Sequence, residues 1–115
     1  MVEDCINNIP IAVTIADNEG NIVYMNTKSK DVFSGSGGEK LIGSNLFGCH
    51  NENSQKIISS LLAESSVNCY TIEKRGIKKL IWQGSWLNQE GETSGVAEIS
   101  IVLPENMPHF NRDKE

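Results

Sequence analysis

Hydrophobic positions along the chain change period repeatedly, and each change marks an element. In residues 11–16, Ile11, Val13 and Ile15 alternate with Ala12, Thr14 and Ala16, the two-residue period of a strand. Asp17–Asn18–Glu19–Gly20 breaks the run, and Asn21, Ile22, Val23, Tyr24 and Met25 resume it. The pair reads as a β-hairpin. From 26 to 51 the alternation stops. Gly35, Gly37, Gly38, Gly43 and Gly48 separate short apolar pieces, which predicts several one- or two-turn helices. Between 52 and 64 the apolar residues Ile57, Ile58, Leu61 and Leu62 share one face of a 3.6-residue period, and a longer helix is expected.

Three further strands follow at 69–74, 77–87 and 96–103, joined by turns at Arg75, Gly76 and at 88–92. In the last strand Ala97, Ile99, Ile101 and Leu103 alternate with Val96, Glu98, Ser100 and Val102. The pattern predicts that the first set is buried and the second partly exposed. The element order specifies an α+β domain: a five-stranded antiparallel sheet with short helices and one longer helix on one face. Residues 1–10 hold Cys5, Ile6 and Ile9 in a helix-compatible stretch that stops at Pro10, and they read as an N-terminal flanking helix. The domain proper then spans 11–103, and 104–115, with Pro104 and Pro108, is a C-terminal tail or linker.

Composition narrows the function classes. With 115 residues and 38% apolar content the chain supplies one core. A net charge of −5 is the wrong sign for gripping a phosphate backbone, so direct nucleic-acid binding is not expected. No apolar run approaches the ~20 residues of a membrane-spanning helix. The start of the chain, Met-Val-Glu-Asp, does not read as a signal peptide, so no membrane insertion and a cytoplasmic location are expected. Cys5, Cys49 and Cys69 are odd in number and widely spaced, unlike a disulfide framework or a zinc ribbon. Catalytic triads, Walker loops and dinucleotide fingerprints are all missing, so the chain is not expected to be an enzyme.

Several short motifs agree with this element order. The run Asp17-x-x-Gly20-x-Ile22-x-Tyr24-x-Asn26 resembles the opening hairpin of PAS domains. Glu39–Lys40–Leu41–Ile42–Gly43-x-Asn45–Leu46 is similar to a segment of the same family. Trp82–Gln83–Gly84–Ser85, a turn centred on Gly91 and an apolar last strand resemble its closing hairpin. Local physics suits these positions: Gly20 takes the positive φ of a tight turn, Asp17 accepts nearby backbone N–H groups, and Asn26 stands at a helix N-cap.

The resemblance implies a sensory module of a signal-transduction protein. Such a module binds a small-molecule ligand or cofactor and relays the signal, commonly as a homodimer, to an output domain or partner. A histidine kinase of a two-component system and a transcription regulator are such outputs. The alternative is a ligand-free PAS interaction or dimerisation module. Cysteinyl–flavin photochemistry is set aside, because Leu46 stands where its thiol should be and Glu98 falls where its glutamine should be. Haem and non-covalent flavin remain as cofactor candidates. Haem needs an axial ligand, and His50, just before the longer helix, is the candidate, although a lone histidine is more often a cap or hydrogen-bonding residue.

Tyr24, Leu46, Phe47, Cys49, His50, Ile57 and Trp86 are the candidate pocket residues. A pocket is expected between the longer helix and the sheet. Trp82 and Trp86 share one strand face with Leu80 and Gly84, and parity leaves open whether that face looks inward on a ligand or outward as a docking patch. Lys78, of the same parity, favours outward. For the dimer contact, Ile6 and Ile9 of the flanking helix, with Val96 and Val102 of the last strand, are the candidates.

Overall fold

The computed structural model describes residues 1–46, 52–64 and 66–113. Its strands are β1 (Ala12–Asp17), β2 (Ile22–Met25), β3 (Val67–Lys74), β4 (Ile77–Leu87) and β5 (Thr93–Val102). They form one antiparallel sheet in the order β2-β1-β5-β4-β3, so β5, last in sequence, is the central strand. The helices are α1 (Val2–Asn8), α2 (Thr27–Val32) and α3 (Glu52–Glu64), with 3₁₀ turns at Ser34–Ser36 and Gly38–Leu41. The expected α+β architecture is the one observed, and α3 has the expected bounds.

Turn chemistry fixes the hairpins. Asp17 Oδ1 accepts the backbone N–H groups of Asn21 and Glu19, each at 2.9 Å, and Gly20 takes φ 84°. The Asn21 bond, aided by that of Glu19, holds the Asp17 carboxyl below the usual carboxylate range. Between β3 and β4 a two-residue loop has positive φ at both Arg75 and Gly76, the turn whose twist matches the strands it joins. The segment around Asn45 runs along β2: Ile22 N–H donates to Ser44, and Gly43 N–H donates to Ile22. Pairing of Asn21 with Asn45 continues that contact and covers part of an otherwise open sheet edge.

Asn26 caps α2 as expected, and it reaches further than a cap. Its Oδ1 accepts the N–H groups of Val13 and Ser29, both at 2.9 Å. Its Nδ2 donates to the carbonyls of Ile6 at 3.0 Å and Ile11 at 2.7 Å. The side chain is 1% exposed and every hydrogen-bonding position on it is used.

The sheet has two faces of unlike chemistry, and their assignment differs from the sequence expectation. Thr14, Ala16, Asn68, Gln83, Val96 and Glu98 point toward α2 and α3. The outward rows are therefore Val13–Ile99–Trp82–Cys69 and Ile15–Ala97–Gly84–Val67. Val96 was expected outside and is instead buried at 6%, while Ala97, Ile99 and Ile101 face away from the helices and are half-buried. By parity Val102 belongs with Val96, and it stays exposed because it ends the strand. Both sets in β5 contain apolar residues, so alternation alone could not orient the strand.

Outward tryptophans pack on glycines. The Trp82 ring lies over Gly84, and Trp86 crosses Gly95 to donate its indole N–H to the Ala16 carbonyl at 3.0 Å. A Cβ on Gly95 would fall 1.9 Å from that carbonyl oxygen and 2.5 Å from Trp86 Nε1. Gly95→Ala should therefore cost about 1–3 kcal/mol by overpacking. Gly35→Ala, with nothing within 4 Å of its added carbon, should stay within about 0.5 kcal/mol. Urea unfolding followed by tryptophan fluorescence checks this; equal midpoints for the two variants would remove the Trp86–Gly95 contact as a constraint.

Candidate functional site

A cavity of about 780 Å³ lies between the inward sheet face and the helices. Its walls are apolar. Ile57, Ile58 and Leu61 come from α3, where the 3.6-residue period aligns them, and Met25, Leu41 and Leu46 close the opposite side. Leu61 is 2% exposed, and burying each such aliphatic side chain contributes about 1.5–3 kcal/mol.

The floor is different. Strand register sets Asn68, Gln83, Glu98 and Thr14 side by side in a row across β3, β4, β5 and β1. The row is hydrogen-bonded in one direction. Asn68 Nδ2 donates to Gln83 Oε1 at 2.9 Å, and Gln83 Nε2 donates to Glu98 Oε2 at 2.9 Å. Thr14 Oγ1 shares a 2.5 Å hydrogen bond with Ser29 Oγ of α2, and Ser29 is fully buried. A carboxylate thus stands near the middle of the central strand, facing the cavity.

Tyr70, on β3, lines the same cavity and a second one of about 220 Å³ that also touches Phe33, Glu98 and Lys79. Burial, and then the charge of Glu98, push the Tyr70 phenol above its ordinary pKa. Among the described residues no cluster of three or more histidine, cysteine, aspartate or glutamate side chains could hold a metal ion. No helix among them is long and apolar enough to cross a membrane.

Of the residues that the sequence suggested for a pocket, Leu46 and Ile57 line the cavity. Trp86 does not: it lies on the other face, bonded to Ala16. Tyr24 pairs with Ile15 on that outward side, and its hydroxyl donates to Asn7 Oδ1 of α1. Phe47, Cys49 and His50 lie outside the described residues. In the suggested dimer set, Ile6 is 40% exposed, Ile9 is half-buried, and Val96 lines the cavity. Sequence reasoning missed Asn68, Gln83, Glu98 and Tyr70. Their signal was a run of polar residues at matching positions on adjacent strands, legible once the register is known.

No protein-family model and no curated protein matches the sequence. Solved structures do resemble it. One is the Aer2 receptor of Vibrio cholerae, described as a dual PAS–haem oxygen sensor, which is 19% identical; the match covers 82% of this chain and 95% of that one at a TM-score of 0.62. The PAS domain of BvgS from Bordetella pertussis is 18% identical over 90% and 85% of the two chains, also at 0.62. VqmA of Vibrio cholerae, solved as a ligand–DNA complex, is 15% identical with a TM-score of 0.69; 90% of this chain matches 51% of that one. With its strand order, α2 and α3 over one sheet face and these superpositions, the chain has the fold of a PAS domain.

Proposed function

We propose that this chain is a sensory module that holds a small molecule between α3 and the sheet and relays its presence to an output domain or partner protein. The cavity carries the reading: about 780 Å³ of space with apolar walls and one row of oriented polar groups is the usual make-up of a small-molecule site. Two fold neighbours give support, since the VqmA structure contains a ligand and Aer2 is described as a haem sensor. For haem, the described lining residues include no histidine, and the candidate axial ligand His50 lies outside the described residues. An output of the histidine-kinase or transcription-regulator kind fits neighbours that include a sensor histidine kinase and a protein solved in complex with DNA.

A second reading rests on the outward face. Leu80, Trp82, Ala97, Ile99 and Ile101 form an apolar surface on the side away from the helices, and this suits a ligand-free module that pairs with a second copy through its sheet. Pairing through the outward face does not itself exclude a ligand, because β5 contributes to both surfaces; what separates the two readings is whether the cavity holds a molecule.

Native mass spectrometry of freshly purified protein tests the first reading. Extra mass, or an absorption band for haem or flavin, is expected in the wild type. It should disappear in Val96→Phe, which fills the cavity floor, while thermal unfolding stays cooperative. Retention of the same mass by Val96→Phe would place the bound molecule elsewhere. For the second reading, sedimentation at micromolar concentration should give a wild-type dimer and an Ile99→Glu monomer; a monomeric wild type would remove it.

The charge at the cavity floor has its own check. In a Tyr24→Phe background, where Tyr70 is the remaining tyrosine, alkaline titration followed by tyrosinate absorbance should show a raised midpoint. Glu98→Gln should lower that midpoint while burial keeps part of the elevation. The sign for stability follows. A phenol whose folded pKa is raised contributes stability that is complete below its unfolded pKa of ~10 and is lost as pH rises through the folded value. An unchanged midpoint in Glu98→Gln would mean that Glu98 does not act on Tyr70.

A further inference from the structure

The polar row on the cavity floor has a direction, and that direction selects a kind of ligand. Asn68 donates to Gln83 and Gln83 donates to Glu98, so the chain of hydrogen bonds terminates on a carboxylate. An ionised carboxylate only accepts, and two oxygens offer about four acceptor positions. Gln83 occupies one of them. The ion pairs seen among the described residues, Lys28–Asp31 and Lys30–Glu39, both lie away from this row. Lys79, an inward-facing cation on β4, lines the neighbouring smaller cavity with Glu98 and takes part in neither pair.

A half-buried carboxylate among apolar walls is unfavourable unless something pairs with it. The neighbouring amides supply one hydrogen bond and no positive charge. Tyr70 and Lys79 stand nearby, yet neither is hydrogen-bonded or ion-paired to Glu98, whose one hydrogen bond among the described residues comes from Gln83; acceptor positions are left for a donor, best a charged one, arriving from the cavity. The walls set the rest of the ligand: Ile57, Ile58, Leu61 and Met25 offer dispersion contacts and no hydrogen bonds from their side chains.

Resting on the reading of the cavity as a ligand site, we infer that it takes a small molecule with an apolar, alkyl or aromatic body and one basic nitrogen, a protonated amine or a protonated ring N–H, which donates to Glu98. Gln83 and Asn68 then act as positioning residues, since their hydrogen bonds fix the orientation of the carboxylate. An anionic ligand of the same shape is rejected, because it would face Glu98 with no intervening donor.

Three probes of one shape test this against ¹⁵N-labelled protein at neutral pH: 2-phenylethylamine, propylbenzene and 3-phenylpropionate. The amine should shift the backbone amides of Ala16, Leu61, Val96 and Glu98. It should bind at least about tenfold more tightly than the acid, in line with one charge-assisted hydrogen bond. Glu98→Gln should weaken the amine about tenfold and leave propylbenzene unchanged. The three-probe comparison on wild-type protein needs no variant, so it stands even if Glu98→Gln misfolds. Equal or tighter binding of the acid or of propylbenzene overturns the inference and leaves the cavity as a ligand site, as does an amine affinity that Glu98→Gln does not change. If none of the three shifts the cavity amides, the ligand-site reading itself fails and the inference falls with it.

Discussion

One buried amide organises the N-terminal part of the domain. Asn26 links α1 through Ile6, the segment before β1 through Ile11, β1 itself through Val13, and the first turn of α2 through Ser29. No other side chain of this size would serve all four partners. Aspartate lacks the two donors, and leucine would leave four backbone groups to find partners in a site closed to water. Because α2 is fixed there, Ser29 arrives under Thr14 and Phe33 reaches the edge of the cavity. Placement of the cavity wall therefore follows from an interaction outside the cavity.

Much of this was legible in the sequence because it is local. The Asp17–Gly20 turn, the Arg75–Gly76 turn, the cap at Asn26 and the amphipathic period of α3 each depend on residues a few positions apart. The face of β5 was not legible. Ala97, Ile99 and Ile101 are the more apolar set, and a rule that the more apolar side faces in assigns them to the core. The rule fails because the helical side encloses a cavity whose floor takes Glu98, and a smaller cavity beside it that takes Ser100. Trp86 was misplaced for the same reason: an aromatic beside a suspected pocket invites assignment to it, yet the indole N–H finds its acceptor on the opposite face, at Ala16. Asn68, Gln83 and Glu98 are 15 positions apart in succession, and only strand register brings them together.

The two faces are joined through single residues. Glu98 faces the cavity, and its neighbours Ala97 and Ile99 face outward on the same strand. A small rotation or shear of β5 in response to a bound molecule would move the outward row by a similar amount, with no relay of intermediate side chains. Trp86, bridging β4 and β1 across Gly95, restrains one end of that strand.

The strand order also bears on how the domain is made. During synthesis β1 and β2 can close as a hairpin early, and β3 with β4 later, since each pair is nearly contiguous in sequence. The two hairpins have no strand-to-strand contact with each other except through β5, which is synthesised last and inserts between them. Pairings such as Val13 with Ile99 close a loop of most of the chain, and contacts of that span slow folding. Until β5 emerges, β1 and β4 each present an unpaired edge, so a nascent chain paused before residue 93 is the form most exposed to strand exchange with its neighbours on a polysome.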